Sequence, residues 1–151
     1  MVSDMELHAT ASLLRRGASL DALSTGITLL GAALGLCQYL FADLGSWAVT
    51  GSVALLLLGV LQKYWALRVA FDAELFERVA NLALPLAQRS EALDQALAAL
   101  GLQPAERGGR PWDARIRGAV NLLRRQALLT GLQVFLVLGL ILAGPWLTVT
   151  G

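Results

Sequence analysis

"LQKYWALRVAFDAELFERVANLAL", residues 61–84, decides how the chain is read. It starts as the end of a very apolar run and continues as a helical pattern of acids and bases, with neither Gly nor Pro to stop it. A membrane helix that runs on into charged territory leaves the bilayer still helical. The stretch therefore predicts a span continuous with a projecting extension.

Composition agrees with a membrane setting. The chain has 151 residues, 56% hydrophobic and 15% charged, with a mean hydropathy of +0.62, too apolar for a soluble domain of this length. Net charge is +1, but all 12 Lys and Arg fall at positions 15–16 and 63–125, a distribution that signals topology. All but one of these cations are Arg, a bias of GC-rich bacterial coding, so a bacterial source is expected. Arg15 and Arg16 do not open a signal peptide, because Asp21 interrupts the approach, the apolar run is too long and no A-x-A site follows.

About 20 apolar helical residues cross roughly 30 Å of hydrocarbon. Three segments qualify, residues 20–41, 47–61 with their flanks, and 128–147. Trp47 at one end of the second, and Lys63, Tyr64 and Trp65 at the other, read as interfacial anchors, as do Arg124 and Arg125 before the third. The link "ADLGS" at 42–46 allows only a tight hairpin and carries Asp43 without a cation. The positive-inside rule then puts the N-terminus and residues 63–126 in the cytoplasm and the C-terminus in the periplasm of a bacterial inner membrane. The chain divides into a cytoplasmic segment 1–18, a transmembrane hairpin 19–62, a cytoplasmic insertion 63–126, and a third span with a short external end, 127–151. Gly31 and Gly35 have the G-x-x-x-G spacing for close helix packing, expected within the bundle and compatible with a homo-oligomer. Gln38 and Gln133 are the expected interspan hydrogen-bonding residues. Asp21, near a membrane boundary, needs no buried partner, and Cys37 reads as a small buried filler.

In the insertion, Ser90 reads as the N-cap of a helix ending at Gly101, with Leu93, Leu97 and Leu100 on one face. "QPAERGGR" at 103–110 is a loop, and Pro111 and Asp113 open a helix that runs unbroken into the third span. Its stripe, Trp112, Ile116, Ala119, Val120, Leu123 and Ala127, faces a stripe leaving the second span: Tyr64, Leu67, Phe71, Leu75, Val79, Leu82 and Leu86. The fold expected is all-α, with three transmembrane helices and a cytoplasmic helical hairpin in which each stripe covers the other. The rival arrangement lays both extensions on the lipid surface. Arg68 and Asp72 break the first stripe, and a charge on an apolar face needs a partner. An Asp72 to Arg117 contact across the hairpin, shared with Arg68, is the expected solution.

Chemistry for catalysis is not legible. His8 is the one histidine and reads as an exposed residue of a short N-terminal helix; no phosphate loop is present, and Glu74 and Glu77 share a solvated face. No enzyme, cofactor or metal is expected. The basic run containing Arg110, Arg115, Arg117, Arg124 and Arg125 reads as membrane-adjacent charge for anionic lipid, and not as a nucleic-acid surface. The expectation is an accessory, scaffold or regulatory subunit that meets a protein partner on the cytoplasmic side through Arg68, Phe71, Asp72, Leu75 and Arg117. The alternative is a component of an oligomeric pore or transporter.

Overall fold

The computed structural model describes residues 3–40, 46–101 and 108–147, with side chains to residue 143. Among them are five helices and no strand: α1 (Asp4–Arg15), α2 (Gly17–Leu40), α3 (Ser46–Ala80), α4 (Leu86–Ala99) and α5 (Trp112–Leu147). The Asp43 connection lies outside the described residues, as does most of the "QPAERGGR" loop.

α1 starts at a capping box. The Ser3 hydroxyl accepts from the Glu6 amide while the Glu6 carboxylate accepts from the Ser3 amide, which satisfies two otherwise orphaned donors. Arg16 joins α1 to α2 in helical geometry, so residues 4–40 form one nearly continuous rod of 37 residues. With α3 and α5, it makes three helices long and apolar enough to cross a membrane. At 1.5 Å per residue, α3 is roughly 50 Å long, about 20 Å more than hydrocarbon requires.

The surplus is explained by one seam along the full length of α3. Ala48, Ser52, Leu55, Gly59, Gln62, Ala66, Val69, Ala73, Phe76 and Ala80 alternate at four and three residues, and all are buried. α1 and α2 share a matching phase through Leu7, Thr10, Leu14, Gly17, Ser24 and Gly31, and α5 through Ala119, Gln126 and Gln133. A sustained repeat averaging 3.5 residues keeps one face of each helix on its neighbours and imposes left-handed supercoiling. The helix does not stop where the apolar half ends because its packing does not stop there.

The chemistry of the seam inverts along its length. In the apolar half it is lined mainly by Gly, Ser, Thr and Gln, with Ile27, Ala48 and Leu55, while Leu29, Leu36, Leu57, Val60 and Phe135 face outward. In the charged half, Leu7, Ala11, Leu14, Val69, Ala73, Phe76, Val79 and Ala119 form a shared apolar core, with Ile116 and Leu123 packed against it. Burying large apolar side chains gains most where the alternative is water; against lipid the gain comes from close approach and hydrogen bonds. A Cβ added to Gly31 would lie 2.8 Å from the Leu55 Cβ, so the Gly31 and Gly35 spacing is used within the chain. Gln133 accepts from Ser24 and donates to Thr28 Oγ1 at 3.3 Å and to the Leu55 carbonyl at 3.4 Å, bridging all three long helices.

Five sequence expectations change. The buried face of α3 lies nearly opposite the stripe of Tyr64, Leu67 and Phe71, because alanines, not the largest apolar residues, permit three helices to meet. The projecting half is not a two-helix hairpin, since α1 packs on α3 as a third member. α4 begins at Leu86 after Pro85, not at Ser90, because Pro suits a helix start whose first amide needs no acceptor. Leu100 is correspondingly exposed, while Gly101 keeps its role with φ of +67° at the end of α4. Cys37 is exposed on the outward face of α2 and is not a buried filler.

Candidate interaction site

A ring of contacts marks one level of the bundle. Lys63 Nζ sits 2.7 Å from Asp21 Oδ2, Arg125 stacks over Trp65 at 5.2 Å, and Gln126 Nε2 donates to the Gly17 carbonyl at 2.7 Å. Tyr64 packs edge-on to Trp65 and carries Arg68 over its own ring. Aromatic and cationic side chains at a common height are what an apolar-to-polar boundary selects. The Asp21 partner was missed in sequence because the two residues are 42 apart, on different helices.

Beyond this ring, α4 rests on the core through Leu86 and Leu93 and is fastened at its first turn and its middle. Arg89 is buried, donating from Nε to the Leu84 carbonyl and from Nη1 to Asp4 at 2.7 Å. Asp94 accepts from Arg115 at 2.6 Å and from the Gly109 amide at 2.8 Å. Arg115 also stacks on Trp112, whose indole donates to the Leu86 carbonyl. Against the upward push of burial, the Arg115 and Gly109 donors and the nearby guanidinium charges hold the Asp94 carboxyl below its usual range.

Between α3, α4 and α5 this leaves an open cleft of about 330 Å³ with Phe76, Leu93, Leu97 and Leu122 in its walls and Asp72, Arg110 and Arg115 among its polar residues. Burial pushes the Asp72 carboxyl above its ordinary range, partly offset by Arg68. Asp72 and Leu75 line the cleft, whereas Phe71 and Arg68 stand exposed beside it on the outward side of α3. Phe71 continues an apolar face that starts in the apolar half of α3: Val53, Leu57, Val60, Tyr64, Leu67 and Phe71 are exposed at 49, 67, 71, 50, 71 and 45%.

Arg117 does not join this group. It opens instead onto a groove with Glu6, Thr10 and Asp113, beside α1, and no ion pair links it to Asp72. The expected contact fails because the seam turns Ala119 and Ile116 inward and carries Arg117 round toward α1. The basic run is split in the same way, with Arg115 committed to Asp94 and Arg125 to Trp65. No group of three or more His, Cys, Asp or Glu that could hold a metal occurs among the described residues. No protein-family model, curated protein or solved structure matches the chain.

Proposed function

We propose that the protein is a docking subunit of a bacterial inner membrane, with the N-terminus and the charged half of the bundle in the cytoplasm and the C-terminus in the periplasm. The cation distribution supports that orientation. The charged half acts as a stiff post because its core is continuous with the transmembrane seam. The partner is itself a membrane protein, running beside α3 from the lipid to the cytoplasmic cleft.

One observation carries this reading: the outward apolar face of α3 does not end at the Lys63 and Trp65 ring but continues through Leu67 to Phe71. Phe71 lies about 12 Å beyond Lys63 along the helix, a height at which an apolar face gains by being covered with protein. Arg68, Asp72 and Leu75 adjoin it and supply specificity through charge. Use of the Gly31 and Gly35 face inside the chain favours docking over an oligomeric pore built on that face.

A photocrosslinking amino acid placed in turn at Leu67, Phe71, Leu75 and Arg117 in native membranes tests the proposal. The same integral membrane protein is expected from the first three positions and not from Arg117, and Asp72→Arg is expected to abolish its capture. Capture of lipid alone at Leu67 and Phe71 contradicts docking and supports extensions lying on the bilayer.

A further inference from the structure

Six cations stand at or near the boundary ring, and they differ in what they touch. Arg15 pairs with Glu77 at 2.8 Å, Lys63 with Asp21, Arg68 stacks on Tyr64 and Arg125 on Trp65. The guanidinium groups of Arg16 and Arg124 make no ion pair, side-chain hydrogen bond or ring contact with the described residues. Both open onto one groove, where the α1–α2 junction faces α5. Ser19 adds a hydroxyl, while Leu20, Val120 and Ala127 supply apolar walls. No carboxylate lines it. The groove on the opposite side of α2, against α3, has Asp21, Glu74 and Glu77 in its lining, so the positive character is specific to one side of the bundle.

We infer that this groove is a binding site for one anionic phospholipid, its phosphate held between Arg16 and Arg124 and its acyl chains descending along α2 and α5. The inference rests on the membrane placement above but not on the docking partner. Height selects a lipid over a soluble phosphate. The Gln126 to Gly17 hydrogen bond fixes these segments at the level where the apolar half begins, so an anion in the fork has hydrocarbon directly beneath it. Guanidinium groups suit phosphate because they can donate in pairs. Basic pockets between spans at the cytoplasmic face are the general form of such sites. Arg125, one residue from Arg124, serves as the internal control because its guanidinium is occupied by Trp65.

The test is native mass spectrometry of the full-length protein in detergent micelles containing phosphatidylglycerol and phosphatidylcholine with matched acyl chains. Wild type is expected to retain a single phosphatidylglycerol with a preference on the order of tenfold, as two surface arginines permit. R16Q/R124Q is expected to lose the preference while keeping its helical circular-dichroism spectrum, R16K/R124K to recover part of it, and R125Q to retain it. Equal loss in R125Q would reduce the effect to general surface charge and overturn the site. Absence of preference in wild type would overturn it as well. Displacement of phosphatidylglycerol by equimolar glycerol phosphate would show a free-phosphate site and contradict the lipid assignment. None of these outcomes depends on a protein partner, so they separate this inference from the docking proposal.

Discussion

Gln62, Gln126 and Gln133 are all fully buried, yet their amides are used differently. Gln133 is bonded at both ends, to α2 and α3. Gln62 donates to Thr130 at 3.3 Å, and its Oε1 accepts from none of the described residues. Gln133→Leu should therefore cost about 1–2 kcal/mol in a micelle unfolding assay, near the upper end for interhelical hydrogen bonds, whereas Gln62→Leu should stay within about 0.5 kcal/mol. Two carboxyls of the charged half give opposite pH signatures. The raised Asp72 pKa means that its contribution is full below the ordinary value of 3.8 and is lost as pH rises through the folded value. The lowered Asp94 pKa means that its contribution is present above 3.8 and is lost as pH falls through the folded value. Asp72→Asn should raise the Tm at neutral pH and Asp94→Asn should lower it, with the latter gap closing in acid; thermal melts across pH check both signs. At this scale Gln133 was legible as a lone amide in an apolar run. The partners of Asp21, Arg89 and Asp94 were not, since each contact joins residues far apart in sequence.

α3 shows how an element can be recognised and still be turned the wrong way. Its unbroken course past Lys63 follows from residues 61–84, although the helix ends at Ala80 and leaves Leu82 and Leu86 outside it; the unbroken course of α5 follows likewise from the residues after Pro111. Its phase does not, because a search for the largest apolar residues finds Tyr64, Leu67 and Phe71 on the outward face and passes over Ala66, Ala73 and Ala80. Those alanines were visible, but small residues signal close packing only when their spacing is matched to partner helices. The two faces separate by experiment. Phe76→Ala, which empties the core against Trp112, should cost about 3–5 kcal/mol. Phe71→Ser should change stability by no more than about 0.5 kcal/mol while removing the photocrosslinks expected on the outward face. Unfolding in micelles and crosslinking in membranes read the two effects independently.

At the scale of the whole molecule, one heptad seam runs through three long helices from the apolar half into the charged half. Composition made the membrane class and three spans readable. The place of α1 was less so: a short N-terminal helix was expected, but only the shared core shows that it packs with α3 and α5 as a third member. Continuity of the seam makes α3 a single element from the apolar half to the charged half, and inversion of its chemistry lets one packing geometry serve both. The most direct test is a nitroxide scan along α3 from residue 48 to 80 in liposomes. Label mobility should oscillate with a 3.5-residue period in a single phase, with minima at Leu55, Gln62, Val69 and Phe76. On the outward face, accessibility should change from oxygen to a water-soluble nickel chelate between Lys63 and Phe71. A phase break near Lys63, or nickel accessibility at Val69 and Phe76, would show that the two halves pack independently and would contradict the account.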